Sequence, residues 1–129
     1  MSGFETFTRR LVPLSKNPRL TIQKRGAISL NSAAYVALGS PAAVELLFDR
    51  QRCVVGLRPV DPRCEHAYPV RPTGGHGSAP FVVSALAFLR YYEINRDASR
   101  RWDAYLDDGI LCADVGATGT PVTSNRAGP

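Results

Sequence analysis

The stretch Gly26-Ala27-Ile28-Ser29-Leu30-Asn31, followed by Ala37-Leu38-Gly39, Val44-Glu45-Leu46 and Val54-Val55-Gly56-Leu57-Arg58-Pro59, decides the fold. Ile28 and Leu30 alternate with Ala27 and Ser29, the period of a half-buried strand, and Gly26 supplies the turn that folds Leu20-Thr21-Ile22 back against them. Asn31 or Ser32 caps a helix of roughly two turns. Its apolar face is Ala34, Tyr35 and Leu38, and Gly39 with Pro41 beyond it stops it. Two apolar runs, Val44 to Phe48 and Cys53 to Leu57, then flank the charged turn Asp49-Arg50-Gln51-Arg52. Two strands, a short helix and two more strands within about 40 residues is the economy of a small β-barrel.

These residues carry a resemblance. The spacing Gly-x-Ile-x-Leu, a helix ending in Leu-Gly, then Val-Glu-Leu, a turn Asp, an apolar strand and Arg-Pro, over residues 20 to 60, resembles the AbrB/MazE-type swapped-hairpin barrel family. The resemblance implies that two such units interlock into one barrel, and that the barrel binds DNA as a transcription regulator or antitoxin. Family members often carry a basic residue just after the motif glycine, a proline at the end of that strand and an arginine in the helix. Here those places hold Ala27, Asn31 and Tyr35, and the basic residues at that turn are Lys24 and Arg25, ahead of the glycine.

The rest of the chain repeats the pattern. Leu30-Asn31-Ser32-Ala33-Ala34-Tyr35 set beside Val83-Ser84-Ala85-Leu86-Ala87-Phe88 gives a strand end, a cap, a small residue and an Ala-aromatic pair, with Tyr35 matched to Phe88. Strands are expected at 67–71 and 81–83 ahead of a second helix over 84–94, and at 101–106 and 110–113 behind it. The last two join at Asp107-Asp108-Gly109, a hairpin signal. The sequence therefore predicts a mostly β chain with short helices, a small barrel built from two β-β-α-β-β halves. The organisation is an arm over 1–19, one compact domain over 20–115 with pseudo-repeats 20–60 and 67–114, and a disordered tail over 116–129 rich in Gly, Thr, Ser and Pro. Either half alone buries too little apolar surface to fold, so the chain is a monomeric pseudo-dimer or a homodimer. The expected core is Ile22, Ile28, Leu30, Tyr35, Leu38, Val44, Leu46, Val55, Leu57, Val83, Phe88, Tyr105, Ile110 and Leu111, and residues 72–80 form a mobile loop.

No catalytic or metal constellation stands out. Cys53 and Cys112 fall in expected strands as buried thiols, and Cys64 with His66 offers two metal ligands where structural zinc takes four. Gly74-Gly75-His76-Gly77 lacks the lysine and spacing of a phosphate-binding loop, and Asp107-Asp108 fits a turn better than an acid/base pair. The chain reads as no enzyme, with no cofactor and no metal. No span reaches the ~18 apolar residues of a membrane helix, and a cytoplasmic location is expected.

Charge is the remaining functional signal. The net charge of +5 comes from 14 arginines and two lysines against 11 acids, and arginine suits bidentate phosphate contact. Lys24, Arg25 and Arg71, with Arg9 and Arg10, are the candidate contacts for double-stranded DNA; Arg19, Arg96, Arg100 and Arg101 add to the balance. The other class is a protein-interaction module or adaptor. Phe88, Leu89, Tyr91, Tyr92 and Ile94 are too many large apolar groups for one narrow helix face, which makes Tyr91 and Tyr92 its candidate partner contacts. A third reading is that the arginines simply solvate the surface.

Overall fold

The computed structural model describes residues 17–122. Its strands are β1 (Arg19–Ile22), β2 (Ala27–Leu30), β3 (Ala43–Asp49), β4 (Val54–Pro59), β5 (Tyr68–Pro69), β6 (Arg71–Pro72), β7 (Phe81–Ser84), β8 (Arg100–Asp103), β9 (Tyr105–Asp107), β10 (Ile110–Asp114) and β11 (Thr120–Pro121). Two short helices, α1 (Ser32–Ala37) and α2 (Leu86–Tyr91), complete the elements. All ladders are antiparallel, and they form two sheets of order β11-β8-β1-β2-β7-β6 and β5-β3-β4-β10-β9. The chain is thus mostly β with short helices, and no ladder among the described residues closes one sheet onto the other.

Alternation along the strands directs one face of each sheet inward. Leu20, Ile22, Ile28, Leu30 and Val83 of the first sheet and Val44, Val55, Leu57 and Leu111 of the second are fully buried and share one apolar cluster. Burying a side chain of this size contributes about 1.5–3 kcal/mol. Tyr105, expected in this core, is exposed on β9 opposite Cys112, and Ile110 is half-buried at the start of β10.

Two expected strands change sheets part-way. The run over 67–71 divides at buried Val70, whose N–H donates to the Ala42 carbonyl at 2.9 Å; β5 on one side pairs with β3, and β6 on the other with β7. The run over 101–106 divides likewise at buried Ala104, whose N–H donates to Pro18 at 3.0 Å, leaving β8 on β1 and β9 on β10. Periodicity shows extended backbone at both places and carries no mark of the switch.

The two helices share one hydrogen-bond pattern. Asn31 is the N-cap of α1, its side chain accepting from Ala34 N–H at 2.9 Å. In α1 the N–H groups of Tyr35, Leu38, Gly39 and Ser40 donate to Asn31, Ala34, Val36 and Tyr35. In α2 those of Leu89, Tyr92, Glu93 and Ile94 donate to Ala85, Phe88, Arg90 and Leu89, the same pattern 54 positions on. Gly39 (φ +91°) and Glu93 (φ +55°) end the two helices in the left-handed region. Tyr35 therefore corresponds to Leu89, and Phe88 to Ala34, one position away from the alignment the sequence suggests. The second helix also stops at Tyr91, short of 94. Strand order has the same symmetry: β1-β2-β7-β6 in one sheet and β3-β4-β10-β9 in the other run outward from a central pair with one member from each half.

Cys53 lies in the β3–β4 turn, exposed and at φ +55°, instead of inside a strand. The ordered chain also continues past 115. Gly119 is packed so closely under Trp102 that a Cβ would come within 2.6 Å of the ring, and β11 pairs with β8. The Thr73–Pro80 connection holds a short 3-10 turn at Gly75–Gly77, and Gly74 is required there, since a Cβ would lie 2.2 Å from the Ala79 carbonyl. Residues 1–16, with Arg9 and Arg10, and residues 123–129 lie outside the described residues.

Two measurements test this packing. Gly56 leaves room for Ile110, whose Cγ2 would lie 2.8 Å from an added Cβ. Gly56→Val should cost roughly 1–3 kcal/mol in urea unfolding, and Ile110→Ala should recover part of that loss. Burial pushes the Cys112 thiol up, with Asp107 adding to the rise. Iodoacetamide should therefore label the exposed Cys53 and Cys64 quickly and Cys112 slowly. Three equal labelling rates would contradict the packing.

Candidate nucleic-acid interface

The β1–β2 turn is shaped by Gly26. At φ +102° it lets its N–H donate to the Gln23 carbonyl at 2.9 Å, while Gln23 N–H donates to Ala27 at 2.8 Å, leaving Lys24 and Arg25 exposed at the tip. The tip rests on the start of α2. Ala85 N–H donates to the Gly26 carbonyl at 3.0 Å, and a Cβ on Gly26 would fall 2.7 Å from Leu86 Cδ1. The segment before β8 holds the other side: Lys24 N–H donates to Ser99 Oγ at 2.9 Å, and Arg96 Nη1 donates to the Lys24 carbonyl at 2.9 Å. Arg25 Nε reaches only its neighbour Gln23, at 2.6 Å.

The far end of α2 is aromatic. Tyr92 packs edge-on to Phe88 and tilted on Phe48, with centroids 5.2 and 4.9 Å apart, and Tyr91 stands perpendicular to Tyr92 at 4.9 Å. Above them sits Arg50, from the β3–β4 turn, its guanidinium carbon 4.8 Å from the Tyr92 centroid and 6.0 Å from that of Tyr91. Tyr91 remains 72% exposed. A six-residue helix is about 9 Å long. One end of the molecule therefore carries Lys24, Arg25 and Arg96 at the start of α2, Arg90 on it, and Arg50 with Tyr91 and Tyr92 at its end. The turn cations and the tyrosines, which the sequence assigns to rival functions, adjoin one another.

Arg71 stands apart. It is exposed on edge strand β6, in the cross-strand row Arg101, Thr21, Ser29, Val82, Arg71 on the outer side of the six-stranded sheet. Two strand spacings, roughly 10 Å, separate it from Ser29. Lys24 and Arg25 lie at the end of the β1–β2 hairpin and not in this row. Arg50 and Arg90 are site residues that the sequence does not single out. Their position depends on α2 packing against both hairpin turns, and no local motif announces it.

Five other arginines are ion-paired. Arg19 pairs with Asp103 (3.3 Å), Arg52 with Asp49 (2.9 Å), Arg63 with Asp61 (2.9 Å), Arg100 with Asp97 (2.7 Å), and Arg58 with Glu45. Hydrogen bonds from Arg52 hold the Asp49 carboxyl below its ordinary value, as those from Arg63 do for Asp61 and the Arg100 side chain does for Asp97. These ion pairs among the described residues include none of Lys24, Arg25, Arg50, Arg71, Arg90, Arg96 and Arg101. Glu93, which follows Tyr92, is in none of them either. Cys64 and His66 are exposed in the turn after Asp61, and no three His, Cys, Asp or Glu side chains gather as a metal set among the described residues.

No protein-family model, curated protein or solved structure matches the chain.

Asp49 organises the turn that presents Arg50, through bonds from the N–H groups of Gln51 (3.0 Å) and Arg52 (3.1 Å). Because folding lowers its pKa, its stabilisation is present above the unfolded value of about 4 and is lost as pH falls through the lower folded value. Asp49→Asn should therefore be less stable than the parent at neutral pH, with a deficit that narrows on acidification. A deficit independent of pH in urea titrations would show that the carboxylate charge is not what holds the turn.

Proposed function

We propose that this chain is a small, non-enzymatic DNA-binding protein of the cytoplasm, a transcriptional regulator of the AbrB-like type, and that the α2 end is its phosphate-binding surface. The observation that supports this most is the contrast in charge: five arginines are ion-paired, while Lys24, Arg25, Arg50, Arg90 and Arg96 cluster around one short helix without an acid partner. Unpaired cations close together repel one another, and a polyanion relieves that repulsion while releasing its counterions. Arg50 is also held by two rings, which lowers the entropy it gives up on meeting a phosphate.

The barrel is part of this reading. The symmetric order of each sheet supports two interlocked β-β-α-β-β halves, with β5, β8 and β11 as additions, a pseudo-dimer within one chain. A second reading, a protein-interaction module, is favoured by the exposure of Tyr91 beside Tyr92.

Binding to random-sequence duplex DNA across a salt series separates the two. Lys24→Ala with Arg25→Ala should weaken binding about equally for all sequences and flatten the logarithmic salt slope by roughly one unit for each phosphate no longer neutralised. Unchanged affinity in the double variant, or no binding by the parent at low salt, would favour the interaction module, for which Tyr91→Ala and Tyr92→Ala are the next substitutions.

A further inference from the structure

The outer side of the six-stranded sheet holds a hollow beside the β1–β2 turn. Ile28 and Leu30 turn into the core, so Ser29 between them faces outward, a position that ordinarily leaves a hydroxyl in water. Among the described residues it is the only buried polar side chain, 8% exposed, and its Oγ has no hydrogen-bond partner. Burial without a partner is unfavourable for a hydroxyl, so such a group calls for one. Ser29 lines a hollow of about 420 Å³ together with Thr21, opposite it on β1, and with Ser99, Lys24 and Arg25. Hydrogen bonds hold its walls. Ser99 Oγ accepts the Lys24 N–H at 2.9 Å, which leaves its own O–H to donate, and Gln23 Oε1 accepts from Arg25 Nε at 2.6 Å. No carboxylate among the described residues lines the hollow. Three hydroxyls and two cations with no acid make a set of donors suited to an oxyanion.

We propose that this hollow is a binding site for one phosphate group: Lys24 and Arg25 supply the charge, and the hydroxyls of Ser29, Thr21 and Ser99 donate to the phosphate oxygens. Charge alone would hold any anion loosely at a turn tip. Ser29 adds a donor that is already out of water, and a hydrogen bond to an ionised oxygen is among the stronger ones. The volume lies in the range of small-ligand sites, so there is room for part of the molecule that carries the group. A nucleic-acid backbone would bring a phosphodiester and a small metabolite a phosphomonoester; the donors required are the same. The site shares Lys24 and Arg25 with the DNA-binding reading but does not rest on it, since Ser29, Thr21 and Ser99 are not part of the cation cluster around α2.

The test is a titration of the full chain with inorganic phosphate at constant ionic strength, chloride being the balancing anion, followed by the backbone N–H resonances. Saturable shifts are expected at Thr21, Ser29 and Ser99. Ser29→Ala, with an unchanged circular dichroism spectrum, should raise the dissociation constant about three- to ten-fold. No saturable shift up to about 10 mM, ten times a dissociation constant of about 1 mM, would overturn the proposal. So would shifts equally large at Arg50 and Arg71, the mark of general anion attraction, or a folded Ser29→Ala that binds phosphate as the parent does. If Ser29→Ala does not fold, Thr21→Val takes its place with the same expectation. Random duplex DNA at low salt then identifies the source of the group. Competition between inorganic phosphate and the duplex, with duplex affinity lowered in Ser29→Ala at an unchanged salt slope, would seat a backbone phosphate in the hollow. Phosphate binding with duplex affinity untouched by Ser29→Ala would assign the hollow to a phosphomonoester. Phosphate binding by a parent that binds no duplex would do the same and remove the DNA-binding reading alone.

Discussion

Antiparallel pairing of β2 with β7 and of β4 with β10 joins the two halves of this chain, because each half contributes one hairpin to each sheet. Strands of one half lie against strands of the other in both sheets. Leu30 and Ile28 of the first half stand beside Phe81 and Val83 of the second, and Leu57 and Val55 beside Leu111 and Ala113. Every one of these side chains is buried. Part of the core is thus made where strands of the two halves meet.

The same exchange governs the surface. Residues that meet at the α2 end come from the first half at Lys24, Arg25 and Arg50 and from the second at Arg90, Tyr91 and Arg96. The β3–β4 turn carries Arg50 and the β9–β10 turn Asp108, so two hairpin turns of the same sheet differ in charge. Ion pairs such as Arg100–Asp97 and Arg52–Asp49 flank the basic end and hold their acids to their own arginines, so these carboxylates are committed before any ligand arrives. Exposed pairs of this kind contribute little to stability. Their effect here is on the field that the remaining cations project.

How much of this was legible depended on whether the signal was local. Gly26, the alternation at Ile28 and Leu30, the Asn31 cap and the Asp108-Gly109 turn each act within a few residues, and the elements they specify are present. The sheet changes at Val70 and Ala104 depend on which distant strand offers an edge, and a run of extended residues looks the same on either side of such a change. Matching Tyr35 to Phe88 follows side-chain type, whereas the helix hydrogen bonds put Leu89 in α2 where Tyr35 stands in α1. The β11 pairing was hidden by composition. Gly119 is placed by its contact with Trp102, and a Gly-Thr-Pro segment carries no apolar run to announce that. At the candidate site, Lys24 and Arg25 were readable as turn residues, whereas Arg50 and Arg90 acquire meaning only from the packing of α2.

That packing depends on Gly26. Its carbonyl accepts from Ala85, and its missing Cβ is what allows Leu86 to approach; with any side chain there the turn would stand off from the helix. A hairpin tip held away from α2 would still be basic, but Lys24 and Arg25 would form a charge separate from Arg90 and Arg50. The field of a cluster depends on spacing, since salt screens exposed charges over a Debye length of about 8 Å, comparable with the length of α2. The glycine thus does two things with one atom fewer: its left-handed backbone makes the turn, and its open side lets the turn sit against the helix. Fold and electrostatics meet at that position, so the basic end is a consequence of how the hairpin closes as much as of how many arginines the chain carries.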